Sequence, residues 1–333
     1  MQEGGGPSLP SPRVPRLPIT PGMVRSHLVP RPRVRRAVRG VALGGGGLTL
    51  IGMTGVGVLV AEARLARRWI ERRMSAPHPV DGRYDATGRT GLTPSDDGHG
   101  TPDGPGALDG PVLLDGPDAL DGPRPLVAAV LGDSAAAGLG ADDPAATPGA
   151  LLATGLAAST GRPVDLVSAV RVGAVSAELG GFVDRLEADG VRPDVVLVIV
   201  GGNDVTKRVP AGVAAAQLGA AVARLVDRGA LVVVGTVPDL STLTPVQQPL
   251  RALGGRWSRL LAVAQTAATL AAGGHPVDLR GLTAADFHAE GALLFSEDRF
   301  HPSTDGYRRT MAHVVPVVLD LLGSTTGAGC ARR

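Results

Sequence analysis

The sequence predicts an α/β fold, a doubly wound parallel sheet with helices on both faces, in the last two hundred residues of the 333-residue chain. Two observations support this prediction. Short apolar segments alternate with Ala-rich segments of helical length, which is typical of consecutive βαβ units. Some apolar segments, such as VVLVIV at 195–200, are apolar on both faces, as a central parallel strand must be.

The individual elements follow from this pattern. Strands are expected at 126–131, 164–170, 194–200 and 231–237. Helices are expected at 148–160, 175–190 and 211–229, with a final helix after residue 303. The second and third of these helices end in glycine, a common helix stop signal. Ligands of such sheets bind beyond the carboxyl ends of the strands, so functional residues are expected at that edge.

The first 124 residues differ in composition from this globular part. Residues 1–74 contain 13 Arg against 3 Glu and no Asp, whereas residues 75–124 contain 9 Asp against 3 Arg. The tripeptide DGP recurs every six residues, at Asp103, Asp109, Asp115 and Asp121. A calcium site is not favoured there, because no loop gathers the carboxylates. We expect a disordered basic arm at 1–40, a flexible Gly/Pro/Asp-rich linker at 62–124, the globular domain at 125–323 and a disordered tail at 324–333.

Residues 41–61 form an uncharged run of 21 residues with arginines on both sides. A helix of this length is about 30 Å long, enough to cross the bilayer core. We expect a transmembrane anchor, with a cleaved signal segment as the alternative; the run exceeds the usual apolar region of a signal peptide. The flanking arginines are balanced, which leaves the orientation open. The protein is therefore expected in the cell membrane as a single-pass protein, or exported. An arginine cluster beside an apolar run favours contact with anionic lipid over nucleic-acid binding.

Polar and glycine residues follow the predicted strands. Gly-Asp-Ser at 132–134 follows the first strand, Gly173 lies just after the second, and Gly-Gly-Asn-Asp at 201–204 follows the third. The segment DRFHPS at 298–303 precedes the final helix. Each segment alone is explained equally well by a turn or a helix cap. Their joint placement at one sheet edge predicts an active site.

The residue types suggest nucleophilic catalysis. The Ser134 hydroxyl requires a base to remove its proton, and His301 is the candidate base. Asp298, three residues before the histidine, would orient the imidazole. The backbone N–H groups of Ser134 and Gly173 and the side-chain amide of Asn203 could stabilise an oxyanion. Ser134 is expected at a strand-to-helix turn, where a helix N-terminus favours negative charge.

For the other polar residues near these segments, the sequence predicts structural roles and not catalytic ones. Asp133 and Asp204 are expected to brace two loops by accepting backbone hydrogen bonds. Asp239 is expected either to line the pocket or to cap a helix, and Phe300 either to pack against the catalytic loop or to lie in the core. His275 and His288 have no Cys or His at ligand spacing, so neither a metal site nor a cofactor is predicted.

These segments resemble the blocks of the SGNH/GDSL hydrolase superfamily, over residues 126 to about 322. The matches are Ser134 in GDS, Gly173, Asn203 in GGND, and His301 in DRFHPS with Asp298 before it. The longer segments around these matches, LGDSAAAGLGADDP, NDVTKRVP and DRFHPSTDGY, are similar to those of membrane-associated members from actinobacteria. The fourth letter of GDSL is Ala135 here, and little effect is expected from this departure.

The resemblance implies a flavodoxin-like three-layer α/β/α fold and a metal-independent serine esterase or lipase. The expected reaction is cleavage of a carboxylic acyl ester through an acyl-enzyme intermediate. An acyltransferase with the same triad and a catalytically silent binding module of the cell envelope remain alternatives. The substrate is left open among a short-chain ester, a lysophospholipid and an O-acetylated glycan, and the catalytic domain is expected to be a monomer.

Overall fold

The computed structural model describes residues 60–90 and 124–330. Seven strands of these ranges form one sheet. They are β1 (Gly82–Asp85), β2 (Gly88–Thr90), β3 (Leu126–Gly132), β4 (Val164–Val170), β5 (Val195–Ile199), β6 (Leu231–Gly235) and β7 (His275–Val277). The four predicted strands are present as β3, β4, β5 and β6. The very short β7 was not predicted, because three residues containing a proline carry little strand signal.

The helices of the described residues lie between and after these strands. They are α1 (60–71), α2 (Pro148–Thr160), α3 (Leu179–Ala188), α4 (Gly202–Thr206), α5 (Ala211–Asp227), α6 (Leu250–Ala271), α7 (Leu279–Ala289), α8 (Gly291–Leu294) and α9 (Thr304–Cys330). The predicted helices correspond to α2, α3, α5 and α9. The start of α2 shows how the sequence sets a boundary: the Thr147 side chain accepts a hydrogen bond from the backbone N–H of Ala150, and Pro148 occupies the first turn.

The sheet has the order β2-β1-β4-β3-β5-β6-β7. Strands β4, β3, β5, β6 and β7 run parallel, whereas β1 is antiparallel to both of its neighbours. Numbered along the chain, the parallel strands have the order 2-1-3-4-5, the flavodoxin-like arrangement. The order reverses between β3 and β5. A crevice therefore forms at the carboxyl ends of these two strands, where the Gly-Asp-Ser and Gly-Gly-Asn-Asp segments emerge.

Alternate residues of the central strands pack into two separate cores. On one face Val130 and Leu197 pack in a cluster that includes residues of α2 and α9. On the other face Leu131 and Val198 pack in a cluster that includes residues of α3 and α5. All five residues of β5 are buried. The apolar character of both faces of the predicted strands thus reflects helices on both sides of the sheet, as expected for this fold class.

Strands β1 and β2 form a hairpin within residues 62–124, where the sequence predicted a flexible linker. Strand β1 pairs with the edge of β4, with Gly82 opposite Leu166. Tyr84 is 2% exposed within the core cluster that contains α2, and its hydroxyl donates to the Val80 carbonyl at 2.6 Å. Strands of four and three residues are too short to show a clear alternation of apolar and polar residues. The Gly/Pro/Asp-rich sequence around them favoured the prediction of a linker.

Replacing Tyr84 tests whether this hairpin is part of the folded domain. Tyr84→Ala is expected to lower the free energy of unfolding by about 3–5 kcal/mol, because it empties a buried aromatic site. Tyr84→Phe, the matched control, removes only one hydrogen bond and should cost about 1 kcal/mol. Urea unfolding of the full chain followed by circular dichroism measures both. Equal stability of Tyr84→Ala and the wild type would show that the hairpin is not packed on the domain.

The two ends of the chain carry the remaining predicted segments. Helix α9 continues to Cys330 and so enters the predicted disordered tail at 324–333; a helix that already exists adds one hydrogen bond for each further residue, which lets it extend through a weak sequence. The arm at 1–40 and nearly all of the predicted anchor at 41–61 lie outside the described residues. Within 60–90 and 124–330, no helix combines the length and apolar content needed to cross a membrane.

Candidate active site

Ser134, His301 and Asp298 form a chain of hydrogen bonds at the carboxyl edge of the sheet. The Ser134 Oγ lies 2.8 Å from His301 Nε2, and His301 Nδ1 lies 2.6 Å from Asp298 Oδ2. Ser134 follows β3, whereas the other two residues belong to the loop between α8 and α9. All three residues are buried, with exposed fractions of 6%, 4% and 1%. The serine and the Asp-x-x-His segment, 167 residues apart in sequence from Ser134 to His301, therefore meet as expected.

The Asp298 carboxylate is held in one orientation. Its Oδ1 accepts hydrogen bonds from Ser296 Oγ at 2.8 Å and from the backbone N–H groups of Phe300 and His301 at 2.8 and 2.9 Å. This leaves Oδ2 for the imidazole. Burial by itself would raise the pKa of Asp298, but the hydrogen bond and charge of His301, together with the backbone donors, bring the pKa below its ordinary value. The carboxylate is therefore ionised and can hold the Nδ1 proton of His301.

Gly132 allows the two strands at the switch point to stay in contact. Its φ is 145°, and a Cβ at this position would lie 1.9 Å from the carbonyl oxygen of Ile199. The next backbone N–H, that of Asp133, donates to the same carbonyl at 3.2 Å. Any side chain at 132 would separate β3 from β5 and displace Ser134, so the first residue of the Gly-Asp-Ser segment has a steric role.

The backbone around Ser134 corrects one sequence prediction. Residues 134–140 form consecutive turns, and after a short 3-10 turn at Pro144–Ala146 the next α-helix begins at Pro148. Ser134 therefore does not stand at a strand-to-helix turn. Gly138 and Gly140 have φ values of 73° and 96°, which a continuing right-handed helix excludes. The Leu139 N–H instead donates to the Ser134 carbonyl at 3.0 Å and closes a compact loop.

The two further predicted oxyanion donors lie on neighbouring segments. Asn203, in α4, lines the same cavity as Ser134, and its Nδ2 is 3.4 Å from Asp133 Oδ2. Gly173, in the loop after β4, has a φ of 81° and does not belong to the cavity lining. The structure thus brings Asn203 directly to the site and places Gly173 in an adjacent loop.

Helix α4 holds the loop that contains Gly173. The Asp204 carboxylate accepts hydrogen bonds from the Ser176 backbone N–H at 3.1 Å and from its hydroxyl at 3.0 Å. Lys207 Nζ donates to the Gly173 carbonyl oxygen at 2.7 Å. Asp204 thus has the contacts expected of a residue that braces a loop. The contact of Lys207 could not be predicted, because an interaction between residues 34 positions apart leaves no local pattern in the sequence.

Asp133 braces the serine loop from within. Its Oδ1 accepts a hydrogen bond from the Ala135 N–H at 2.9 Å, and only 3% of the residue is exposed. Burial raises the pKa of Asp133 to about 6, although the Ala135 N–H and the nearby His301 act in the opposite direction. The folded protein therefore binds a proton at Asp133 more tightly than the unfolded chain does.

This raised pKa makes stability depend on pH. As the pH rises from about 3 to about 7, the unfolded chain loses the Asp133 proton first, so the wild type should lose about 3 kcal/mol of unfolding free energy relative to Asp133→Asn, about 2 kcal/mol of it between pH 4 and pH 6. Above that interval the difference should stay constant. Urea unfolding of both proteins at pH 4, 5, 6 and 7 measures it. If the unfolding free energies of the two proteins changed with pH in the same way over this range, the raised pKa of Asp133 would be contradicted.

A cavity opens directly beside Ser134 and His301. Its empty volume is ≈ 970 Å³, counting the solvent-open mouth. Asp239 fulfils both of its expected roles: it lines the cavity and it caps a short helical turn by accepting from the Ser241 N–H at 2.9 Å. It also forms an ion pair of 2.6 Å with Arg280, a contact that the sequence analysis missed. Phe300 lies edge-on to the His301 ring at 4.9 Å and also lines the cavity.

His275 and His288, the two histidines considered above as metal ligands, do not line the cavity. His275 lies in β7 and His288 is an exposed residue of α7. Within the described ranges, no group of three or more His, Cys, Asp or Glu residues is placed to hold a metal ion.

Residues 130–309 match the model of the GDSL-like lipase/acylhydrolase family. The chain belongs to this family. It is also 46% identical over 178 residues to a GDSL-like esterase of Mycobacterium tuberculosis, a match that covers 54% of this chain. The match spans 57% of the length of that relative.

Solved structures of similar proteins have lower identity. A lipase/acylhydrolase from Enterococcus faecalis is 20% identical, with a TM-score of 0.45 and coverage of 58% of this chain and 95% of that one. The esterase EstA from Pseudoalteromonas sp. is also 20% identical, with a TM-score of 0.45 and coverage of 59% and 98%.

Proposed function

We propose that the protein is a serine esterase that cleaves carboxylic acyl esters through an acyl-enzyme intermediate. The observation that carries the proposal is the continuous chain of hydrogen bonds from Ser134 through His301 to Asp298 at the wall of a cavity. This arrangement lets a base remove the serine proton while a carboxylate stabilises the imidazolium that forms. Membership of a family of lipases and acylhydrolases and the similarity to a named esterase support the same reaction.

The first half of the reaction transfers the acyl group to the enzyme. Ser134 Oγ forms a bond to the ester carbonyl carbon as its proton passes to His301 Nε2. The tetrahedral intermediate then collapses, the carbon–oxygen bond to the alcohol breaks, and the leaving oxygen takes the proton from His301. Throughout, Asp298 keeps the imidazole in the tautomer that accepts at Nε2.

The second half releases the acid. Water loses a proton to His301 Nε2 as its oxygen bonds to the acyl carbon, and the bond to Ser134 Oγ then breaks as the serine regains a proton. In both halves a negative charge develops on the former carbonyl oxygen. The Asn203 amide, which lines the cavity with Ser134, and the backbone N–H groups of Ser134 and Gly173 are the proposed donors to it. Such a donor contributes about 3–4 kcal/mol.

Acylation and deacylation can be separated experimentally. Mixing the full chain with a p-nitrophenyl ester in a stopped-flow instrument should release a burst of p-nitrophenol equal to the active-site concentration whenever deacylation is the slower half. Quenching during turnover and mass spectrometry should find the acyl mass on the peptide that contains Ser134. Hydrolysis accompanied by an acyl mass on a different residue would contradict the proposed nucleophile.

We also propose that residues 41–61 attach the protein to a membrane. The support is the uncharged run of 21 residues between arginine clusters. Carbonate extraction of membranes from cells that express the full chain tests it. The protein should stay in the pellet, whereas a chain that lacks residues 1–61 should not. Recovery of the full chain in the supernatant would exclude an integral anchor.

A further inference from the structure

The cavity beside Ser134 has a predominantly apolar wall. Three of the four phenylalanines in the chain line it. Its main apolar side chains are Leu240, Leu243, Leu279, Phe287, Phe295 and Phe300. Phe287 and Phe295 pack edge to face, with ring centroids 4.8 Å apart. This concentration of leucine and phenylalanine suits an apolar ligand, because such a wall gains free energy by removing hydrocarbon from water.

The hydroxyl groups in this wall are already engaged by the protein. Thr242, Thr283 and Thr310 donate to the backbone carbonyls of Asp239, Leu279 and Gly306, at 2.7, 2.7 and 2.9 Å. The Tyr307 hydroxyl donates to the Leu139 carbonyl at 2.8 Å.

The carboxylates of the wall are engaged as well: Asp133 accepts a hydrogen bond from the Ala135 N–H at 2.9 Å. Asp239 is neutralised by Arg280 at 2.6 Å, and both side chains are largely buried. A sugar in the cavity would therefore have to replace existing hydrogen bonds with its own, and each unmatched hydroxyl would be left without a partner.

We infer that this cavity binds the acyl chain of the substrate and that the chain is apolar and longer than two carbons; this inference rests on the proposed esterase function. The acyl group remains attached to Ser134 Oγ after the alcohol has left, whereas the alcohol must depart before water attacks. A partly enclosed apolar space that includes Ser134 and Ala135 in its lining suits the group that stays. Among the candidate substrates, a lipid ester fits this wall and an O-acetylated glycan does not use it.

Two neighbouring alanines in α7 allow a matched test. Ala284 is half-buried and lines the cavity, whereas Ala285 is exposed. A tryptophan at 284 would fill part of the acyl space, and a tryptophan at 285 would add the same side chain at the surface of the same helix. Ala284→Leu provides a smaller obstruction that disturbs the fold less.

The experiment measures kcat/KM of the full chain for p-nitrophenyl esters from acetate to decanoate. Each added methylene should raise the wild-type value by up to about fourfold until the cavity is filled. Ala284→Trp should lower the ratio of the octanoate value to the acetate value by on the order of tenfold or more, since added bulk excludes the longer chain first. Ala284→Leu should give a smaller shift of the same kind, and Ala285→Trp should match the wild type.

A second series separates the acyl side from the alcohol side. Alkyl acetates with alcohols of two to eight carbons should show little length dependence, because the lengthening group lies outside the acyl cavity. A wild-type profile that favours acetate, equal profiles for Ala284→Trp and the wild type, or length dependence confined to the alkyl acetates would each overturn the inference.

Ligand binding keeps this inference separable from the proposed function. Isothermal titration with acetate, butanoate and octanoate needs no turnover. Octanoate should bind the wild type and Ala285→Trp more tightly than it binds Ala284→Trp. If no ester is hydrolysed but octanoate binds in this order, the esterase proposal fails and the acyl cavity stands. If esters are hydrolysed and octanoate binds all variants alike, the esterase proposal stands and the acyl cavity fails.

Discussion

Ser134→Ala is expected to reduce kcat for p-nitrophenyl ester hydrolysis by on the order of 10⁶, the scale seen when a serine hydrolase loses its nucleophile. The variant keeps the backbone N–H of residue 134 and the rest of the cavity, so KM should change little. Its fold should be preserved, because the lost hydroxyl interacts with His301 and fills little volume. Steady-state kinetics with urea unfolding of the same preparation measures both effects.

A control with the same chemical change supports this interpretation. Ser296→Ala removes a hydroxyl that donates to Asp298 Oδ1, but leaves that oxygen two backbone donors. It should reduce kcat far less than Ser134→Ala. A stable, folded Ser134→Ala variant that retains a tenth or more of wild-type kcat would show that another group is the nucleophile.

Asp298→Asn is expected to reduce kcat by about 10⁴, because it imposes the wrong tautomer on His301. The backbone donors at Phe300 and His301 fix an oxygen at the Oδ1 position, so the new amide nitrogen must face His301 Nδ1. The imidazole then accepts at Nδ1 and carries its proton on Nε2, toward Ser134. It cannot remove the serine proton in that state.

The neighbouring carboxylate provides the control for Asp298→Asn. Glu297 is exposed and precedes Asp298 in the same loop; Glu297→Gln removes one negative charge close to the site and should leave kcat within a factor of about two. Comparing kcat of the two variants at one pH separates orientation of the imidazole from a general effect of charge. Equal losses in both variants would contradict the orienting role of Asp298.

The parts of the fold that could be predicted are those with local periodicity. Strands β3, β5 and β6 are apolar on both faces, β4 is apolar at five of its seven positions, and helices such as α2 begin at a capping residue; these signals lie within a few adjacent residues. The β1–β2 hairpin could not be found in this way, because β1 is stabilised by pairing with β4 some eighty residues later. The helix expected after Ser134 was wrong because glycines with positive φ interrupt that segment.

The site shows the same division. Ser134 and Asn203 could be named from short segments after predicted strands, and Asp298 and His301 from the segment before the predicted final helix. The contacts that support these residues could not be predicted. Lys207, after α4, donates to the Gly173 carbonyl in the loop after β4, and Arg280 of α7 forms an ion pair with Asp239 in the segment after β6. Such contacts depend on which elements become neighbours in space. Likewise, the apolar wall of the cavity is assembled from residues of α7, α9, the loop between α8 and α9 and the segment after β6, none of which indicates a pocket by itself.

The most direct test of the central claim is covalent labelling of Ser134 with a fluorophosphonate probe. The full-length wild-type protein should form one adduct, on the peptide that contains Ser134, and prior incubation with a slowly hydrolysed ester should reduce the labelling rate. Ser134→Ala should form no adduct, and Asp298→Asn should react far more slowly than the wild type. A folded wild-type protein that remains unlabelled, or that carries the adduct on another residue, would contradict the claim that Ser134 is an activated nucleophile.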